Sequence, residues 1–126
     1  MTASSSSRRE SALALLNQLE QGAPEKVADN LDALDRDAIE LLLGFAFADV
    51  VSRPGLSLPC REMLTVAMLA AMGTTPGQLD FHMRAALNTG VSREEIIEII
   101  YQVAVYAGIP AAINAVASAR KAFATT

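Results

Sequence analysis

The chain has 126 residues, of which 52% are hydrophobic and 5% aromatic, and it has no tryptophan. Fourteen acidic and ten basic residues give a formal net charge of −4, and the basic residues are scattered along the chain. This argues against nucleic acid as the main partner, because binding to its backbone needs clustered Lys and Arg. No apolar run reaches the roughly 20 residues that span a bilayer, so no membrane contact is expected.

The serine-rich start of the chain and its single cysteine indicate the domain organisation and the cellular compartment. Residues 1–7 are low-complexity and serine-rich, and we predict a disordered tail there. Residues 8–126 are expected to form a single domain. The start of the chain has no apolar stretch behind its charges, so it predicts no secretory signal. A lone cysteine, Cys60, forms no internal disulfide and no CxxC pair, which favours a reducing cytoplasm.

The first part of the chain reads as three short helices separated by glycine and proline. The first begins near Arg8 and stops at Gly22, a usual helix end. A second follows, with Pro24 in its first turn. Asp35 is predicted to cap the third, which the turn at 53–55 ends.

The second part reads as four more helices. One starts at Ser57 or Leu58, and two others begin at capping boxes, "TPGQ" at 75–78 and "SREE" at 92–95. The last follows the Gly-Ile-Pro break at 108–110. Runs rich in Val and Ile carry charges at helical spacing and are too long for ordinary strands. The sequence therefore predicts an all-α protein.

His82 is the only histidine in the chain. It is either a helix residue whose ring is satisfied by a carbonyl or by solvent, or an acid–base group that works near neutral pH. Leu79 and Met83 lie near one apolar face of its helix, so the imidazole should border that face. Titratable groups at such a border often serve chemistry, which makes His82 a candidate catalytic residue.

Glu62 is the second catalytic candidate, in the first turns of an apolar helix. Alone, it is more simply interpreted as a carboxylate favoured by the helix dipole. It precedes His82 by twenty positions across a short loop, so a simple antiparallel hairpin would separate the two by about a helix length. They would meet if the two helices cross steeply, or across a subunit interface.

Three arginines, Arg53, Arg61 and Arg84, are candidate substrate binders, because a guanidinium captures a carboxylate through two hydrogen bonds. The alternative for each is a solvated surface charge. Cys60 is a weaker candidate nucleophile, since no second cysteine completes a redox cycle. One His and one Cys supply no clustered metal ligands, and phosphate-loop and Ser-His-Asp signatures are absent. We therefore expect no metal and no organic cofactor.

Three segments, "SRPGLSLPCREMLTVAMLAAMG", "QLDFHMRAALNTGVSREEIIEII" and "QVAVYAGIPAAINAVASARKAF", together resemble the carboxymuconolactone decarboxylase family. The resemblance covers roughly Phe47 to Phe123. It implies the all-helical fold of the alkyl-hydroperoxidase D-like proteins, assembled as homo-oligomers, either trimers or hexamers, with pockets near subunit interfaces. The apolar content of so small a chain independently favours self-association.

The same resemblance separates two branches of that superfamily. Aligned on His82, the CxxC pair of the redox branch would fall at Thr75 and Gln78, so dithiol chemistry is lost here. The decarboxylase branch remains, and it implies a cofactor-free lyase acting on a carboxymuconolactone-like lactone carboxylate. In this hypothesis His82 is the acid–base group or oxyanion donor, Glu62 is its electrostatic partner, and an arginine anchors the substrate.

Two departures from the decarboxylases leave other functions open. Close decarboxylases resemble one another in a W-x-x-x-W pattern, and this chain has Phe47 and Val51 at the two tryptophan positions. The loop "GTTPGQLDFH" also differs from their G-R-x-x-E pattern. One alternative is a relative repurposed for another small molecule in a biosynthetic pathway, through isomerase- or cyclase-type acid–base chemistry. Another is a non-catalytic oligomeric binding protein.

Overall fold

The computed structural model describes residues 5–125, which form seven helices and no strand, so the all-α fold class is confirmed. Six helices are α-helices and one is a π-helix. Their bounds are α1 (Ser5–Leu19), α2 (Ala23–Leu34), π1 (Ile39–Val51), α3 (Leu58–Met72), α4 (Pro76–Asn88), α5 (Arg93–Ala107) and α6 (Ile109–Ala124).

The disordered tail predicted for residues 1–7 stays a prediction. In the structure α1 begins at Ser5. Three consecutive serines only weakly oppose helix formation, and the leucine-rich segment behind them extends the helix backwards. Residues 1–4 lie outside the described part of the chain.

The chain divides into two compact units, with the boundary between Leu56 and Ser57. In the first unit α1 packs along π1 and also contacts α2. Arg8 Nη2 lies 2.8 Å from Asp49 Oδ2 and so ties α1 to π1. A single domain over residues 8–126 stays a prediction.

The third helix differs from its prediction in type and in cap. Its hydrogen bonds span five residues, as does the bond from the Ser52 N–H to the Phe47 carbonyl at 3.1 Å. Asp35 does not cap it, because its carboxylate accepts the N–H of Asp37 at 3.1 Å, two residues on. This mainly apolar segment contains no proline and favours a helix of either kind, so the sequence did not distinguish them.

In the second unit α3 packs against α4, α5 and α6, while α6 also contacts α4 and α5. Small residues on the buried side of α6 let its neighbours approach closely, and most of these residues are alanines. The interior side chains with no exposed surface include Val66, Met83, Ile96 and Ala115. Among the described residues, no helix has both the length and the apolar character needed to cross a membrane.

Of the two capping boxes predicted in this unit, the one at Ser92 is confirmed and the one at Thr75 is wrong, and Ser57 caps α3. The Ser57 hydroxyl accepts the Cys60 N–H at 3.3 Å, and both hydrogen bonds of the Ser92–Glu95 capping box are present. Thr75 precedes α4, but its hydroxyl makes no capping bond. The backbone explains the difference: Thr75 has ψ 60°, whereas Ser57 has the extended ψ of 157° that is usual at this position.

Candidate active site

Glu62 and His82 are in direct contact inside the second unit. Glu62 Oε1 lies 2.7 Å from His82 Nδ1, and the two residues are 1% and 7% exposed. Both atoms belong to one chain, so no subunit interface is needed to bring them together. The expectation that a simple hairpin separates them by about a helix length is therefore wrong.

The correction follows from how far each residue lies from the turn that joins α3 to α4. Glu62 lies ten residues before Met72, where α3 ends, and His82 lies six residues after Pro76, where α4 begins. At 1.5 Å per residue, these distances are about 15 Å and about 9 Å along the two helices. The offset is about one helical turn, which a glutamate side chain can span. The nineteen intervening residues mostly run out to the turn and back.

Each residue faces inward because it lies on an apolar stripe of its helix. On α3 the buried positions Glu62, Val66 and Ala70 follow a spacing of four. On α4, His82 is buried beside Leu79 and Met83, as its predicted place on the apolar face required. A buried carboxylate without a partner would cost several kcal/mol, so the hydrogen bond to His82 makes the burial of Glu62 tolerable.

The pairing determines which imidazole nitrogen is available for chemistry. An ionised carboxylate only accepts hydrogen bonds, so with Glu62 ionised Nδ1 carries a proton and donates it. Nε2 is then the atom left for a substrate. The Phe81 ring meets the imidazole edge to face, with centroids 5.0 Å apart at 88°, and restricts its rotation. About a tenth of the His82 side chain stays exposed, so the ring is not sealed in the core.

The three candidate arginines lie in different places. Arg61 is half-buried beside Glu62 on α3, whereas Arg53 is an exposed residue of the first unit. Arg84 Nη1 donates to the Asp80 carbonyl at 3.3 Å, and its guanidinium lies 5.8 Å from the Phe81 ring centroid. Arg84 thus contacts the residue that restrains the imidazole. The role of all three as substrate anchors stays a prediction.

Cys60 lies half-buried in the first turn of α3. The two positions where thiols would be needed for dithiol chemistry hold Thr75, just before α4, and Gln78, in its first turn. Within residues 5–125, no three side chains of His, Cys, Asp or Glu lie close enough together to hold a metal ion.

A second polar cluster on α4, which we call the α4–α6 latch, was not predicted. It consists of Asp80, Ser118 and Lys121. The Ser118 hydroxyl donates to Asp80 Oδ1, and Lys121 Nζ donates to Oδ2 at 3.2 Å. The hydrogen bond from Ser118, supported by Lys121, lowers the pKa of Asp80 from its usual value of 3.8. The spacing of three on α6 places Ser118 and Lys121 on one face, but nothing local indicates that α4 lies opposite.

The fold and site thus define an all-helical protein with a buried His–Glu pair. The model of the carboxymuconolactone decarboxylase family matches residues 36–121 of the chain. The chain is 37% identical over 95 residues to the 4-carboxymuconolactone decarboxylase of Acinetobacter baylyi. The aligned region covers 75% of this chain and 70% of that protein. The chain therefore belongs to the carboxymuconolactone decarboxylase family, as the sequence resemblance predicted.

Two further relatives broaden the comparison. The chain is 33% identical over 97 residues to the nitrosuccinic acid decarboxylase npaB of Metarhizium robertsii, covering 77% of this chain and 67% of that protein. It is 30% identical over 110 residues to an uncharacterized 15.0 kDa protein from the nqo9–nqo10 intergenic region of Paracoccus denitrificans, covering 86% and 77%. Two of these three relatives are therefore decarboxylases, named for different acids.

Proposed function

We propose that this protein is a carboxy-lyase that removes CO2 from a carboxymuconolactone-like lactone carboxylate, without an organic cofactor or metal. The observation that carries the proposal is the buried contact between Glu62 Oε1 and His82 Nδ1 at 2.7 Å. Family membership supports it, because two of the relatives described above are named as decarboxylases.

The chemistry of such a substrate needs only a hydrogen-bond donor and a proton. When the bond to the carboxylate breaks, its electron pair passes through the ring alkene into the lactone carbonyl, whose oxygen becomes negative. A donor must stabilise this oxygen, and a proton must then form a new C–H bond. No electrons enter or leave the substrate, so the step requires neither an oxidant nor a reductant.

In this proposal His82 acts at the reacting atoms and Glu62 acts through it. The imidazolium donates from Nε2 to the developing oxyanion or delivers the proton to carbon. Glu62 holds the Nδ1–H, which sets the orientation of the ring, and stabilises the imidazolium. Glu62 is thus the positioning residue and His82 the catalytic one.

The carboxylate that the substrate retains needs its own binding group. We assign it to Arg61 or Arg84, with Arg53 as the third candidate, because a guanidinium matches a carboxylate through two parallel hydrogen bonds. Arg61 is next to Glu62 in sequence, and Arg84 stacks on Phe81 beside the imidazole. Loss of either anchor should raise KM more than it lowers kcat.

A second candidate substrate is suggested by the relative that is named for nitrosuccinic acid. In that acid the nitro group, rather than a lactone carbonyl, can accept the electrons left by CO2. The same His–Glu pair would again need to supply only a hydrogen bond and a proton. The alternative function is therefore decarboxylation of a small acid whose own substituent accepts the electron pair.

We further propose that the protein is a homo-oligomer, a trimer or hexamer, in the cytoplasm. On α3 the apolar side chains of Leu64, Met68 and Met72 repeat every fourth residue and are exposed. In the first unit, Leu41 and Phe45 on π1 are also exposed. Exposed apolar patches of this kind usually mark contact surfaces. Sedimentation velocity would show a single species larger than the 13.3 kDa monomer.

The test of the lyase proposal is turnover of 4-carboxymuconolactone by the purified protein, followed by CO2 release and ultraviolet absorbance. Wild-type protein should turn it over, and His82→Gln should abolish turnover while circular dichroism and sedimentation stay unchanged. Full activity of His82→Gln would show that the histidine is not catalytic. Turnover of nitrosuccinic acid alone would favour the second substrate, and inactivity on both, with thermal stabilisation by another lactone, would favour a repurposed or non-catalytic protein.

A further inference from the structure

A cavity of about 300 Å³ lies between α5 and α6 and involves neither the His–Glu pair nor the α4–α6 latch. It is open to solvent on one side, its walls are mainly apolar, and two exposed polar side chains, Tyr101 and Arg120, line it. The remaining lining residues are Ile97, Ile100, Val116, Ala119 and Phe123. We call it the α5–α6 cavity.

Arg120 is exposed to solvent, and it brings to this cavity a positive charge without a carboxylate partner in the described part of the second unit. Its guanidinium makes no hydrogen bond or ion pair with any other described residue of the second unit, and neither does the phenol of Tyr101. The chain has an excess of acidic residues, fourteen against ten, so carboxylate partners are not scarce. A guanidinium stays protonated at all ordinary pH values, so this charge cannot be removed by titration.

Two other cavities of the second unit, of about 320 and 340 Å³, have different charges. The first contains the α4–α6 latch, whose carboxylate already binds Ser118 and Lys121. The second is lined by three glutamates, Glu94, Glu95 and Glu98. Of these three cavities, the α5–α6 cavity alone combines apolar walls with a cation that lacks an anionic partner.

We propose that the α5–α6 cavity binds a small carboxylate with an apolar body, such as a single-ring aromatic acid. The carboxylate would accept two parallel hydrogen bonds from the Arg120 guanidinium, and the Tyr101 hydroxyl would be a second donor group. The ring would cover Ile100, Val116 and Phe123 and remove their surface from water. The volume is near the lower limit of small-molecule pockets, about 300 Å³, which restricts the ligand to roughly one ring.

The probe for this site is benzoate, with methyl benzoate as its uncharged counterpart. Methyl-labelled protein is titrated with each, and the NMR signals of Ile97, Ile100 and Val116 are followed. Benzoate should shift these signals saturably, and methyl benzoate should bind at least about tenfold more weakly, because it lacks the charge-assisted hydrogen bonds.

Variants of Arg120 distinguish specific binding of benzoate from a general effect of the protein's charge. Arg120→Ala should weaken benzoate binding about tenfold or more. The benzoate affinity of Arg120→Lys should lie between those of Arg120→Ala and wild type, because lysine keeps the charge but cannot form two parallel hydrogen bonds. Arg36→Ala removes one exposed positive charge from the first unit and should bind as wild type does. His82→Gln should also bind normally, so a failed decarboxylase assay and a failed binding assay are independent.

Three results would overturn the proposal. One is the absence of saturable shifts with benzoate, and another is equal benzoate affinity in Arg120→Ala and Arg36→Ala. The third is a set of cavity signals that respond to protein concentration and not to benzoate. In that case a second copy of the chain covers this surface.

Discussion

Two polar clusters begin only two residues apart on α4 and differ in their exposure to water. His82 meets Glu62 of α3, and both are buried. Asp80 meets two residues of α6, the buried Ser118 and Lys121, whose side chain is 70% exposed. A buried pair leaves an uncompensated polar group when one partner is removed, whereas water replaces the lost partner of an exposed one. Removing one partner of the His82–Glu62 pair should therefore lower the free energy of unfolding more than removing the exposed Lys121.

The largest expected effect is on activity and comes from Glu62→Gln. The amide keeps the size of the carboxylate and can still accept the Nδ1–H hydrogen bond, but it cannot stabilise an imidazolium. We expect kcat to fall by about 10²–10⁴-fold while the fold is retained, measured by CO2 release at saturating substrate. The matched control, Glu98→Gln, changes a carboxylate at the glutamate-lined cavity and should keep wild-type kcat. Equal kcat in both variants would remove Glu62 from the mechanism.

The next effect is on stability and comes from breaking the buried pair on one side. Glu62→Ala leaves His82 without its partner and opens a cavity, so the free energy of unfolding should fall by about 3 kcal/mol or more. Urea denaturation measures this. In the double variant Glu62→Leu, His82→Leu, apolar side chains replace both groups, and much of the lost stability should return. A double variant less stable than Glu62→Ala would show that the pair itself stabilises the fold.

The α4–α6 latch should produce a smaller effect that depends on pH. The pKa of Asp80 is lowered in the folded protein by the Ser118 hydrogen bond and by Lys121, so the unfolded chain binds its proton more tightly. The resulting stability is fully present above the ordinary pKa of 3.8 and is lost as pH falls through the lower folded value. Asp80→Asn should therefore cost about 1–2 kcal/mol near neutral pH and progressively less below 3.8. A difference between the two proteins that does not change down to pH 2 would contradict this assignment.

The smallest effect is expected from the exposed member of the latch. Lys121→Met keeps the aliphatic stem and removes the charge, so unfolding should become easier by less than about 1 kcal/mol. High salt should abolish this difference, and thermal unfolding at two ionic strengths checks it. A loss as large as that of Asp80→Asn would show that the ammonium, rather than the Ser118 hydroxyl, holds Asp80.

The predictions that were confirmed rest on neighbours in sequence. The helix start at Ser57 or Leu58 and the cap at Ser92 depend on residues within one turn, and the apolar stripe that buries His82 depends on spacing along one helix. Local signals were insufficient where two backbone states were compatible with the same residues. Thr75 has the right side chain for a cap but the wrong ψ, and π1 carries an apolar sequence that also suits an α-helix.

The sequence by itself determined the all-α class, most helix starts, the family, and the place of His82 beside the apolar face of its helix. Only the tertiary structure decided that Glu62 reaches Nδ1 of His82, that Asp80 faces Ser118, and that Arg120 lines an apolar cavity. The physical reason is that helix propensity, capping and periodicity act within about one turn. Contacts between helices depend instead on their offset and crossing, which are set by the packing of the whole unit.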